Sequence, residues 1–159
     1  VMANGSLNYT VKGICIGMKV TWNYTPPTNG GDTFTSIKKG SKATLKIVQD
    51  EKNGFVKELY IQKEPDIDNR TFEAQLQKTV EQLQITYPFL SVKNKKNGTY
   101  LIDIPQEKRL GHEEHFSKVA KAFLHYVDNK DMPEWENENT LAKYYITTTA
   151  VEMAKIGNK

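Results

Sequence analysis

Six apolar or aromatic residues, Ile14, Ile16, Met18, Val20, Trp22 and Tyr24, take every second place in the stretch 10–24, with Cys15, Gly17, Lys19, Thr21 and Asn23 between them. A period of two dictates extended backbone, because successive side chains of a strand point to opposite faces. The pattern predicts one long, half-buried strand with one face on a core. A separate short strand at 7–11 leads in, after the turn signal Asn4-Gly5-Ser6. Gly13 and Gly17 on the other face invite a bulge or a close backbone approach. Cys15 lies inside the run and is read as a buried, inert thiol; as the single cysteine it can form no internal disulfide.

Downstream, paired prolines and glycines make 25–33 a loop. Strand character returns at 33–37, breaks at Lys38-Lys39-Gly40-Ser41, and resumes with Ala43, Leu45 and Ile47. A turn at 50–54 leads to a fourth strand at 55–62. Short turns between strands predict antiparallel pairing. The period then changes. Phe72, Leu76, Val80 and Leu83 mark an amphipathic helix over about residues 70–85, stopped by Tyr87-Pro88. Leu90 and Val92, an Asn97-Gly98 turn, and Tyr100, Ile102 and Ile104 make a second hairpin. Two further helices follow at about 113–128 and 139–156, separated by a polar loop with Pro133 and Trp135. The buried stripe of the last is read as Ala142, Tyr145, Ile146, Thr149, Ala150 and Met153. The fold class is therefore α+β: a mainly antiparallel open sheet with about three helices packed on one face.

The 159 residues fit one domain, 1–159. A hydrophobic fraction of 38% and a charged fraction of 26% describe a globular chain rather than a disordered one. No apolar stretch is long enough to span a membrane. A net charge of +3 gives no reason to expect nucleic acid. Lys93, Lys95 and Lys96 read as a solvated turn. The Asn-x-Ser/Thr triplets at Asn4, Asn8, Asn23, Asn69 and Asn97 match by chance in a chain rich in Asn and Thr. The chain begins at Val1 within polar sequence and without a targeting pattern, so it is expected to be processed or cut from something longer, and cytoplasmic.

Gly-His-Glu-Glu-His, 111–115, is the first candidate for chemistry. Phe116, Val119, Ala120, Phe123, Leu124 and Val127 place it at the start of an amphipathic helix. Its histidines stand at i and i+3, whereas zinc proteases need i and i+4 with a glutamate between. Glu113 and Glu114 suit the positive end of the helix dipole. His112 and His115 are thus read first as helix-start and packing residues, with a ligand contact as the rival. His125 is a mid-helix residue. Asn-Gly-Gly-Asp-Thr, 29–33, reads as a turn before it reads as an anion nest, since no helix follows it. Asp103 offers no paired carboxylate that the pattern can name. No G-x-S-x-G occurs, and no G-x-G-x-x-G follows a strand.

The stretches TVKGICIGMKVTWNY, GGDTFTSIKKGSKATLKI and GHEEHFSKVAKAFLHYVDNKDMPEWENENTLAKYYITTTAVEMA carry a resemblance over 4–154. They resemble the C-terminal domain of the Gfo/Idh/MocA oxidoreductases, in the branch found in gut Bacteroidetes. The most specific parts are the acidic loop with Pro133 and Trp135, the LAKYYITTTAVEMA that follows, and the turn 39–43. The resemblance implies a bacterial protein whose N-terminal Rossmann domain, absent from this chain, binds NAD(P). It implies hydride transfer at a carbinol carbon of a sugar or polyol, with this domain supplying substrate contacts and a homo-oligomer interface. The family's Glu-Lys-Pro lysine and its Asp-x-x-x-His pair have no counterpart here. No catalytic, cofactor or metal residue is therefore carried over, and the chain is expected to be inactive alone. Substrate contacts are sought among Trp22, Tyr24, Asp32, His112, His115 and Lys143. Trp22 and Tyr24 equally suit a core, and Lys143 a helix surface. The rival readings are a stand-alone small-molecule-binding module and a purely structural dimerisation module.

Overall fold

The computed structural model describes residues 4–28 and 30–157; Asn29, the first residue of the 29–33 turn, lies outside them. The chain forms two compact units, one from 1–25 and 112–159, the other from 26–111. Its class is α+β, with an open antiparallel sheet and three helices.

In the first unit the alternating run is broken by a tight turn. Strand β1 (Gly5–Val11) pairs antiparallel with β2 (Ile14–Val20), in a register that sets Val11 against Ile14, Tyr9 against Ile16 and Leu7 against Met18. Lys12 and Gly13 between them have φ of 49° and 79°, the positive angles that a two-residue hairpin turn needs at both positions. The long strand expected over 10–24 is thus a hairpin whose second arm stops at Val20. There the side-chain oxygen of Asn4 accepts from the Trp22 backbone N–H at 2.6 Å, and its amide donates to Asn23 at 2.9 Å. The expected burial fails as well: Ile14 is 67% exposed, and Cys15 is exposed, not buried.

Helix α2 (His112–Asn129) carries Glu113 and Glu114 in its first turn, where carboxylates offset the helix dipole. It ends where Lys130 turns to a φ of 55° and its N–H reaches the Tyr126 carbonyl at 2.9 Å. Helix α3 (Glu134–Gly157) starts directly after Pro133, so Trp135 belongs to the helix and not to the loop before it. Neither α2 nor α3 buries a residue. Of the expected α3 stripe, Ala142, Tyr145 and Met153 are exposed, while Ile146, Thr149 and Ala150 are half-buried.

The second unit is a five-stranded antiparallel sheet in the order β3 (Phe34–Lys39), β4 (Ala43–Gln49), β5 (Glu58–Lys63), β7 (Thr99–Asp103), β6 (Ser91–Asn94). Helix α1 (Asn69–Gln84) connects β5 to β6. Asp68 caps it by accepting from the Thr71 N–H at 2.8 Å, and the Thr86 and Tyr87 amides close on the Leu83 carbonyl just ahead of Pro88. Val80 of α1, only 2% exposed, and Tyr100 and Ile102 of β7 form the core, as the two periodicities predict. Phe72 lies 5.7 Å from the Tyr100 ring, ring to ring, and the Tyr100 hydroxyl donates to Glu73 at 2.8 Å. Burial first, and then that carboxylate, push the Tyr100 phenol up from its ordinary value.

Candidate functional site

The second unit holds a polar concavity of about 380 Å³ that no sequence pattern pointed to, lined by Val48, Asp50, Asn53, Glu58, Tyr60 and the lysines Lys52 and Lys95. Local backbone chemistry builds its rim. Asp50 caps a single 3₁₀ turn (Glu51–Asn53), accepting from the Lys52 N–H at 2.9 Å. The Asn53 side chain returns to accept from the Asp50 N–H at 2.9 Å and donates to the Val48 carbonyl at 2.9 Å. Gly54 then takes the left-handed conformation, and Phe55 follows it with a φ of 59°. That angle is unusual for an aromatic residue, and here the Phe55 amide is held on the Asp50 carbonyl at 2.8 Å.

On β5, Glu58 and Tyr60 are two residues apart and share a sheet face. The Tyr60 hydroxyl donates to the Glu58 carboxylate at 2.5 Å. That hydrogen bond, aided by burial and by the charges of Glu58 and Asp50, pushes the Tyr60 phenol up to about 12. Carboxylate, phenol, amide and ammonium groups together suit recognition of a polar, hydroxylated molecule. Glu58 is engaged by the Tyr60 hydroxyl.

The six residues singled out by sequence fall in both units. Trp22 is 75% exposed beyond the end of β2, and Tyr24 follows it, also exposed. His112 opens α2 and His115 lies one turn on, both exposed. Lys143 sits on α3 with its ammonium 5.4 Å from the ring of Tyr144, a cation–π contact within its own helix. Asp32, in the second unit, uses its backbone carbonyl to accept from the Gln49 side chain at 2.9 Å. Among the described residues no hydrogen bond or ion pair joins any two of the six. His125, read as an ordinary helix residue, is the histidine with partners: Nε2 lies 3.0 Å from Asp131 and Nδ1 3.0 Å from the Asn129 amide. If that amide donates, Nε2 carries the ring proton toward Asp131. Among the described residues, no group of three His, Cys, Asp or Glu side chains is placed to hold a metal ion.

Two basic groups, Lys63 buried and Arg109 half-buried, also escaped sequence reasoning. Lys63 is 8% exposed, and its ammonium donates to the carbonyls of Glu64, Pro65 and Ile67 at 2.9, 3.4 and 2.5 Å. Arg109 ties the chain after β7 to the start of β5, donating to the Ile104 carbonyl at 3.0 Å and the Lys57 carbonyl at 2.6 Å. Their partners are backbone carbonyls, which leave no residue-type signature to read.

Every strand pairing described is antiparallel, whereas the dinucleotide fold places its ligand at the carboxyl ends of parallel strands, over a glycine-rich turn and a helix N-terminus. No described helix is long and apolar enough to cross a membrane.

The pairings and helices thus define an α+β domain with an open antiparallel sheet. Residues 1–155 match the family described as "Putative oxidoreductase C terminal domain". The chain is also similar to a protein from Parabacteroides merdae whose crystal structure is that of a "putative oxidoreductase". They are 39% identical, with a TM-score of 0.91, over 96% of this chain and 35% of that one. No curated protein matches. The chain belongs to the oxidoreductase C-terminal domain family, the family its motifs resemble, and it spans about a third of the length of that relative.

Proposed function

We propose that this chain is the substrate-side and assembly domain of an NAD(P)-dependent oxidoreductase acting on a sugar or polyol, with the nicotinamide carried by a Rossmann domain of the same polypeptide. The observation that carries the reading is the family match over 1–155, in a region that makes up only 35% of the related oxidoreductase. In this reading the exposed indole of Trp22 offers a face for the C–H groups of a sugar ring. Tyr24, His112, His115 and Lys143, in the same unit as Trp22, offer groups for its hydroxyls, and Asp32, in the other unit, is a candidate contact taken by itself. The same domain joins copies of the enzyme into a homo-oligomer.

The test is to supply the longer polypeptide with NAD⁺ or NADP⁺ and a panel of aldoses, cyclitols and polyols, following nicotinamide absorbance. Turnover of at least one polyhydroxylated substrate is expected. Calorimetry of the 159-residue chain with NADH is expected to show no heat of binding; micromolar affinity there would overturn the division of labour. Light scattering of the longer polypeptide tests assembly, and a strict monomer at high concentration would remove it.

A further inference from the structure

Helix α2 presents an apolar stripe to solvent. Phe116, Val119, Phe123, Leu124 and Val127 lie along one face, each 54–69% exposed. Glu114, Lys118, Lys121 and His125 lie on the opposite side. Tyr126 alone in this helix is even half-buried. Helices in proteins draw most of their stability from packing such a face, not from propensity.

Magnitudes distinguish the possible occupants. With phenylalanines of about 200 Å² and aliphatic side chains somewhat smaller, the stripe offers roughly 500 Å². Two copies meeting through it would bury about 1000 Å², short of the ~1600 Å² of a typical stable complex. A domain joined covalently needs less, because its effective concentration is in the millimolar range, and interfaces within one chain begin near 600 Å². The relative supplies such a domain, since about two-thirds of its chain lies outside the matched region.

We infer that the apolar face of α2 is the seat of a second folded domain of the same polypeptide, one that presents a complementary apolar surface. The inference rests on the reading above that this chain works within a longer protein. Thiol labelling of the longer polypeptide tests it. In a Cys15→Ser background, Val119→Cys and Phe123→Cys probe the stripe and Lys121→Cys probes the opposite face, each at two protein concentrations a hundredfold apart. Positions 119 and 123 are expected to react at least tenfold more slowly than 121, equally at both concentrations. Protection that vanishes on dilution would assign the face to a second copy and overturn the inference, as would equal reactivity at all three positions. Because a cysteine in the stripe could itself disturb packing, hydroxyl-radical footprinting of Phe116 and Phe123 in the unsubstituted polypeptide provides a second reading. Oxidation there as fast as in the denatured chain would also overturn the inference. Neither readout needs nucleotide or turnover. Protection without nicotinamide chemistry would keep this surface and remove the oxidoreductase reading; turnover with an open stripe would do the reverse.

Discussion

Lys63→Met keeps the length and packing of the side chain and deletes its charge. In the structure the Lys63 ammonium gathers the carbonyls of Glu64, Pro65 and Ile67, the segment that runs from the end of β5 to the Asp68 cap of α1. Two of its three bonds, at 2.9 and 2.5 Å, are short enough to count in full. Hydrogen bonds from a charged donor contribute about 1.5–3 kcal/mol each, and the cost of burying the ammonium offsets part of that sum. A net loss of about 2–3 kcal/mol is expected. Both tryptophans, Trp22 and Trp135, lie in the first unit, so their fluorescence cannot follow the change; amide exchange can. The Glu64 amide, bonded to the Lys42 carbonyl, the Ile67 amide, bonded to Glu64, and the Thr71 amide, bonded to Asp68, should all exchange faster. At 1.4 kcal/mol per tenfold, the acceleration is roughly 30- to 140-fold. Rates within threefold of the unsubstituted protein would show that the carbonyl cage is incidental and that the loop is held by Thr44 Oγ1, which donates to Glu64 at 2.9 Å.

Two pH dependences follow from the perturbed groups. Folded Tyr60 keeps its proton up to about 12 while an unfolded tyrosine loses it near 10. Its contribution is therefore whole below pH 10 and lost as pH rises through 12; urea unfolding at stepped alkaline pH should show that slope, and Tyr60→Phe should flatten it. Asp68 is held below the ordinary carboxylate range, first by the Thr71 backbone N–H, then by the Thr71 side chain, and in smaller part by the charge of Lys63. Its stabilisation is present above the ordinary aspartate value and lost as pH falls through the lowered folded one. Asp68→Asn should keep the cap and remove that acid dependence from α1, as read by amide exchange; an unchanged profile would refute the assignment.

How much could be read from the sequence depended on whether the deciding interaction leaves a residue-type signature. Helix α1 was legible to within a residue at each end, because Phe72, Leu76, Val80 and Leu83 keep a helical period and Pro88 marks the stop. The hairpin β1–β2 was half legible. Its apolar residues sit at 7, 9 and 11 and then at 14, 16 and 18, and that switch from odd to even positions is the mark of a two-residue turn at Lys12-Gly13. Trp22 and Tyr24 continue the even count by coincidence, so the end of β2 was hidden. It is set by Asn4, eighteen residues away from its Trp22 partner. The Glu58–Tyr60 pair was legible in principle, since residues two apart on a strand share a face. Lys63 and Arg109 were not.

Periodicity announces that a face is to be buried and says nothing of the neighbour that will bury it. The two units separate those facts. Every described residue exposed by less than 9%, namely Thr44, Lys63, Val80, Tyr100, Leu101 and Ile102, belongs to the second unit, while α2 and α3 bury none. Opening free energies follow buried apolar contact, so the units should open separately. In hydrogen exchange followed by mass spectrometry, the 159-residue chain should release α2 and α3 first. Peptides from β5 and β7 should exchange slowest, and only through the opening of the whole second unit. In the longer polypeptide proposed above, α2 should slow selectively and β7 should be unchanged. If α2 already exchanged as slowly as β7 in the 159-residue chain, its stripe would be buried without help, and the case that this domain is completed by another would fail.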